Sequence, residues 1–198
     1  MEQTKVILAS TSATRIKMLR NAGLEFASHA AELNEGQLQE SNAHLSPAAL
    51  PLELAKAKAL SLAPQYPDAF LIGSDQVLDF QGRPLHKART IGDARTKLKA
   101  LRGHTHQLHS AVAVVHKGKV AFAHTQSVTL TMRLFSDEFL ENYLAQAEYA
   151  CLHSAGCYHY ESLGAQLFEK VDGDYCAILG LPLLPLLAFL RQSSILPA

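Results

Sequence analysis

The stretch "KVILASTSATRIKMLRNAG", residues 5–23, decides how this chain is read. "KVILA" is a short apolar run of the kind a buried strand uses. Hydroxyl residues follow at once, Ser10, Thr11, Ser12 and Thr14, and then Ile16, Met18 and Leu19 at helical spacing. The pattern is a strand, an N-cap and a helix ending near Gly23. Such a turn leaves backbone N–H groups unpaired at the positive end of a helix, which suits phosphate oxygens. Ser10 and Ser12 add hydroxyl donors, and Arg15, one turn in, adds a forked cation. Plain capping accounts for the same hydroxyls, so this stretch alone leaves both readings open.

With 198 residues, 48% hydrophobic and 18% charged, the chain has the composition of one soluble, well-cored domain spanning 1–198. Lys+Arg and Asp+Glu both total 18 and cancel. Polymeric nucleic acid is therefore not expected as a partner, because its backbone demands an excess of positive charge. A small anion needs only a local cluster. Cys151, Cys157 and Cys176 are odd in number and form no C-x-x-C pair, so neither a disulfide framework nor a zinc ribbon is indicated. A reducing cytoplasm fits this usage best. "MEQTKVILAS" lacks the basic region and apolar core of a secretory signal. The apolar run "ILGLPLLPLLAFL" is broken by Pro182 and Pro185 and is too short to span a bilayer; its later half reads as a buried helix.

Residues 32–51 are polar with little periodicity and read as a mobile loop beside a site. Residues 52–63 have helical spacing, and "AFLIGSDQVLDF", residues 69–80, is a strand interrupted at Gly73-Ser74-Asp75. After the turn "QGRP" comes a helix ending at Gly103, and then antiparallel strands turning at Lys117-Gly118. Residues 136–148 read as helix, "LFEKVDGDYCAIL" as a hairpin turning at Asp172-Gly173, and Pro182 as the opening of a last helix. Together these elements make one α/β fold with a mixed sheet.

Asp75 is the sharpest candidate for chemistry. A carboxylate inside "LIGSDQVL" is costly to bury without a partner or a task, the bland alternative being a turn aspartate at a strand end. Lys58 in "LAKAKA" and Lys87 in "HKA", taken singly, read as solvated charges. "HTHQLH", residues 104–109, suggests a metal, but His104 and His106 share a strand face that His109 does not, and no acidic cluster stands nearby. No G-x-S-x-G elbow, P-loop or G-x-G-x-x-G fingerprint occurs, so the serine-hydrolase, P-loop and standard dinucleotide readings lose support.

The ordered set of these stretches resembles the Maf family of nucleoside triphosphate pyrophosphatases. "LASTSATR" is similar to the family's opening L-A-S-x-S-P-R-R, matching Ser10, Ser12 and Arg15. "LAKAKA" places the family lysine at Lys58, "GSDQV" its proposed general base at Asp75, and "HKA" the G-K-P lysine at Lys87. "LRGHTH" matches L-x-G-x-x-H, and "AGCYHYESLGAQLFEKVDGDYCAILGLPLL" matches the closing A-G-x-Y…G…L-P-L segment. The chain departs from the pattern at Ala13, Thr14, Ala88 and "LHSAG", where the family has a proline, an aromatic or arginine, a proline and a lysine.

The resemblance implies a single Maf/ITPase-like domain, with a mixed central sheet flanked by helices and two lobes around a cleft. It implies a cytoplasmic, often dimeric enzyme that hydrolyses a nucleoside triphosphate to the monophosphate and pyrophosphate, clearing noncanonical nucleotides. Mg²⁺ or Mn²⁺ is the implied cofactor, with Glu35 and Asp75 as candidate ligands; "ELNE" matches the family's acidic motif loosely. Arg15, Lys58 and Lys87 would neutralise the triphosphate. Thr14, Gln76 and Glu161 fall where the family separates a pyrimidine-type from a 7-methylguanine-type subgroup, and "GSDQV" with Glu161 looks like the latter. A non-catalytic nucleotide-binding regulator of cell division is the competing reading.

Overall fold

The computed structural model describes residues 6–197. The expected first strand is β1, Val6–Ala9, with all four residues buried. Its anticipated first residue, Lys5, and residues 1–4 of the stretch read for a signal lie outside the described residues. Ser12 caps the following helix α1, Ala13–Asn21, by accepting the Arg15 N–H at 3.4 Å. The chain leaves α1 through Gly23 at φ +77°, a left-handed conformation that glycine adopts without a Cβ clash. It then enters β2, Ala27–His29.

The polar stretch that follows is not one long loop. Asn34 accepts the Gln37 N–H at 3.1 Å and starts α2, Glu35–Ser41. Leu38 and Leu45 pack against Leu50, Leu54 and Val77, so two scattered leucines suffice to dock it. Helix α3 runs Leu50–Ser61 with Pro51 in its first turn.

Nor is the next strand interrupted: β3 is continuous over Phe70–Phe80. Gly73 serves packing there rather than a turn. A Cβ on it would lie 2.0 Å from the Ala55 carbonyl oxygen and 2.8 Å from the Ala59 nitrogen, so α3 lies with its backbone against this point of the strand. Gln81 and Gly82, both at positive φ, turn the chain into the short β4, Arg83–Leu85. Thr90 and Asp93 then form a reciprocal capping box at the start of α4, Ile91–Leu101. Strands β5, Thr105–His116, and β6, Lys119–Met132, turn at Lys117-Gly118 as expected, both residues at positive φ.

Ser136 caps α5, Asp137–Ala147, and 3₁₀ turns occupy Glu148–His153 and Leu163–Leu167. The anticipated hairpin at Asp172-Gly173 does not form. Strand β7, Phe168–Asp172, pairs back onto β6, and Asp174 then caps the short α6, Tyr175–Ile178, by accepting the Ala177 N–H at 2.8 Å. An aspartate one residue past the glycine is a cap that the D-G turn signal conceals. The last helix, α7, Leu183–Gln192, has Pro182 as its cap and buries Leu186 and Leu190 while Leu184 stays exposed. Among the described residues no helix is long and apolar enough to cross a membrane.

Among the described residues, seven strands form one mixed sheet in the order β2-β1-β3-β5-β6-β7, with β4 added to β3. The pairs β1–β2 and β1–β3 are parallel and the others antiparallel. One edge of β3 is covered by β5 from Leu71 to Asp79. The other edge pairs with β1 over Phe70–Ile72 and with β4 over Leu78–Phe80, so Gly73–Val77 lies open between them. The two largest apolar clusters flank this opening. One gathers Leu8, Ile72, Val114 and Leu186; the other gathers Leu78, Leu98, Leu108 and Leu130. They are the counterparts of the two expected lobes, joined by the continuous strands β3 and β5.

Candidate active site

A cleft of about 730 Å³ opens over the uncovered edge of β3, where the carboxyl end of β1 meets the amino end of α1. Strand order reverses at β1, and α/β sheets bind ligands at such switch points. Every residue to which the resemblance gives a site role lines this one cleft: Ser10, Ser12, Thr14 and Arg15 from the first turn, Glu35 from α2, Lys58 from α3, Asp75 and Gln76 from β3, Lys87 from the loop after β4, and Glu161.

The centre is an ion pair that local geometry dictates. Side chains alternate along a strand, so Asp75 points to the same face as Gly73, the face on which α3 rests. One helical turn past Ala55, Lys58 stands above it. Its Nζ lies 2.6 Å from Asp75 Oδ1 and 2.9 Å from Glu35 Oε1. The Lys58 and Asp75 side chains retain 9% and 13% of their exposure, whereas Glu35 retains 60%, so the inner pair is largely desolvated and the outer one is wet. Burial pushes the Glu35 carboxyl up, but Lys58, Lys87 and Arg15 together outweigh it and hold the group below its ordinary range.

Arg15 is tethered. Its Nε donates to the Gly180 carbonyl at 2.9 Å and its Nη1 to the Ser74 carbonyl at 3.0 Å. Two nitrogens of the expected phosphate fork thus go to the framework, and what Arg15 lends the cleft is mainly charge. Burial lowers its pKa, and the attraction of Asp75 and Glu35 opposes that. On the opposite face of β3, Gln76 Nε2 lies within 2.9 Å of three acceptors, Ser110 Oγ and the Ala177 and Ile178 carbonyls. Its nitrogen is spent on the turn of α6, so Gln76 can offer a ligand only its carbonyl oxygen. Ser10 Oγ accepts the Ser12 N–H at 3.2 Å, making the hydroxyl-rich turn a compact cradle at the α1 terminus.

A wall to which sequence reading assigned only Glu161 comes from residues 153–161. His106 Nε2 and the Tyr158 hydroxyl share a 2.7 Å hydrogen bond, and both residues are buried. Burial pulls His106 down to about 4, so it stays neutral, and its Nδ1 has no partner among the described residues. Tyr158 in turn holds Ser154, which donates to the Tyr158 carbonyl at 2.7 Å and accepts its N–H at 2.9 Å. Past it, Thr14 donates to Glu161 Oε1 at 3.4 Å, and Tyr160 stands beside Glu161 in the cleft lining. The A-G-x-Y match marked Tyr158, but its partner His106 lies 52 residues away. The histidine run therefore holds a tyrosine in place, and His104 faces solvent ahead of β5.

Among the described residues no group of three or more His, Cys, Asp or Glu side chains is placed to hold a metal ion. The donors that do converge are two carboxylates, Glu35 and Asp75, on one ammonium. Hard oxygen ligands in that small number suit Mg²⁺ or Mn²⁺ completed by phosphate oxygens and water, and do not suit a dedicated protein cage.

The fold and the cleft define an α/β protein with a lysine–carboxylate cluster at a sheet switch point, beside the Ser12-capped N-terminus of α1. The chain belongs to the Maf family: it matches the Maf-like protein family over residues 5–193. It is 45% identical over 190 residues to a 7-methyl-GTP pyrophosphatase of Rhizobium johnstonii, covering 95% of this chain and 96% of that one. It is 42% identical over 193 residues to a nucleoside triphosphate pyrophosphatase of Maricaulis maris, covering 98% of both chains. A 7-methyl-GTP pyrophosphatase of Bartonella henselae is 40% identical over 191 residues, covering 96% of both.

Proposed function

We propose that this chain hydrolyses nucleoside triphosphates to the monophosphate and pyrophosphate, with guanine-type and 7-methylguanine-type bases preferred. The observation that carries the reading is the Lys58–Asp75 pair, 2.6 Å apart at the open edge of β3, in a cleft shared with Lys87 and the α1 terminus. A triphosphate needs concentrated positive charge, and the cleft supplies Arg15, Lys58, Lys87 and the first-turn N–H groups of α1.

Asp75 orients a water toward the α-phosphorus and takes its proton. As the new P–O bond forms, the bond from the α-phosphorus to the bridging oxygen breaks, and pyrophosphate leaves with that electron pair. Lys58 moves its charge from the carboxylates to the phosphate oxygens, while Lys87 steadies the departing pyrophosphate. A divalent cation, Mg²⁺ or Mn²⁺, held by Glu35 and Asp75 would add charge neutralisation and lower the pKa of bound water. The three cysteines are free thiols, which supports a reducing cytoplasm as the place of action.

Pyrophosphate release from GTP, 7-methyl-GTP, UTP and dTTP, each with Mg²⁺ or Mn²⁺, tests the reading. Release above the rate seen with Asp75→Asn supports it. Nucleotide binding without any release would leave a binding regulator instead.

A further inference from the structure

Lys97, in the middle of α4, does not line the cleft, yet its ammonium is hydrogen-bonded to both cleft walls. Nζ donates to the His86 carbonyl, in the loop that carries Lys87, and to the Ala155 carbonyl at 3.1 Å, in the turn that leads to Tyr158 and Glu161. The two walls differ in how firmly they are otherwise held. The Ala155 side is rigid: Ser154 is bonded twice to Tyr158, and Gly156 is packed so that a Cβ would meet the Tyr158 ring at 2.1 Å. On the Lys87 side, β4 is paired to β3 over Arg83–Leu85, the Arg89 N–H is held by Asp93 and Ala88 is buried in the cluster that contains Tyr158, but His86 and Lys87 between these anchors are exposed. The carbonyl that Lys97 grips is one residue from Lys87.

We propose that Lys97 is a positioning residue that fixes the Lys87 loop against the Tyr158 wall and so sets where the Lys87 ammonium meets phosphate. A lysine suits this task because its three N–H donors can serve two carbonyls from separate segments at once, and its charge strengthens both bonds. The charge also reaches inward: burial pushes the Cys157 thiol up to about 11, and Lys97 is the strongest opposing influence on it. The proposal rests on the phosphate role given to Lys87. An unlatched loop leaves Lys87 present but misplaced, and misplacement by about 1 Å costs up to about a hundredfold in rate.

Lys97→Met keeps the stem and removes the donors and charge. It is expected to lower kcat/KM for a triphosphate by roughly ten- to a hundredfold. In a Lys87→Ala background the same change should cost less than about threefold, because the group it positions is gone. Lys97→Arg, which keeps the charge and several N–H donors, should recover most of the loss. Independently of turnover, hydrogen exchange at residues 84–89 should speed up in Lys97→Met while exchange in the β3–β5 core stays as in the native chain. Equal losses with and without Lys87, or unchanged exchange at residues 84–89, would overturn the latch. If the native chain releases no pyrophosphate at all, the exchange result still judges the latch, and only the reaction assignment falls.

Discussion

Lys58 and Asp75 meet at 2.6 Å because Gly73, two residues before the carboxylate, lets α3 rest its backbone on β3. Packing and chemistry are therefore coupled through one missing methyl group. Gly73→Ala puts a carbon 2.0 Å from the Ala55 carbonyl oxygen, a clash that only movement of α3 can relieve. The expected cost is about 1–3 kcal/mol of stability, typical of overpacking, with a loss of pyrophosphate release beyond what partial unfolding explains. Denaturant unfolding alongside an assay well below the transition separates the two effects. Native stability in this variant would mean that α3 does not bear on Gly73.

Asp75→Asn preserves shape and an oxygen for Lys58 while removing the carboxylate charge proposed to act as the base. Turnover should drop by about a hundredfold or more, the usual scale for a lost general base, with triphosphate binding retained. Near-native turnover would remove Asp75 from the chemistry.

Lys58 and Lys87 are expected to act on phosphate but to differ in what else they do. Lys58→Met and Lys87→Ala should both weaken triphosphate binding far more than nucleoside binding. Only Lys58→Met should also lower the melting temperature clearly, since it strands the nearly buried Asp75, whereas Lys87 is exposed. Calorimetric titration with triphosphate and nucleoside, set beside thermal melts, reads both. Equal loss for the two ligands would assign the lysines a structural role.

The buried His106 makes an acid limb in stability. Its pKa in the fold is about 4 against an ordinary 6.5, so the native state favours the neutral ring. Above pH 6.5 neither state is protonated and the stability is complete. As pH falls from 6.5 toward 4, the unfolded chain takes up a proton that the folded chain refuses, and stability declines. The full loss is on the order of 3 kcal/mol and is complete below the folded pKa. Melting temperature against pH should fall more steeply for the native chain than for His106→Gln, which keeps a polar partner for Tyr158. Parallel curves would place the acid sensitivity elsewhere.

How far the sequence speaks depends on whether a feature is local. The α1 terminus was legible because strand, cap and helix follow one another within residues 5–23, and the Lys117-Gly118 turn because its signal is two adjacent residues. Asp75 was legible as a charge out of place. The rest is set by distant partners: Gly73 looks like a break in a strand until α3 is laid on it, and His106 looks like an ordinary strand histidine until Tyr158 reaches it. The helix at Glu35–Ser41 is hidden because a seven-residue helix with Leu38 as its one apolar anchor, helped by Leu45 beyond its end, has too little periodicity to detect. Order along the chain brought all the expected site residues to one cleft; it could not tell that Arg15 and Gln76 spend their nitrogens on the framework.

Base choice is the last expectation, and it turns on Glu161 and Thr14. A guanine edge offers N1–H and N2–H side by side, which one carboxylate accepts together, whereas uracil or thymine presents one N–H between two carbonyls. Glu161 lines the cleft, and its Oε1 accepts the Thr14 hydroxyl at 3.4 Å and lies 3.9 Å from His159 Nδ1, which orients the carboxylate. Gln76 cannot take the opposite part toward a pyrimidine carbonyl, because its N–H groups already serve Ser110 and the α6 turn. Leaving a polar edge unpaired costs on the order of 1–3 kcal/mol, so guanine-type triphosphates should lead UTP and dTTP by about ten- to a hundredfold in kcat/KM. Glu161→Gln should shrink that lead, since an amide can no longer accept both protons equally. Thr14 is short and carries no ring to stack on a cationic base. Thr14→Trp should therefore raise the ratio of 7-methyl-GTP to GTP by a few-fold, the scale of roughly 1 kcal/mol for a cation–π contact. Measuring kcat/KM on GTP, 7-methyl-GTP, UTP and dTTP for the native chain and both variants decides the matter. A native preference for UTP or dTTP, or a Glu161→Gln variant with unchanged ratios, would show that Glu161 does not read the base.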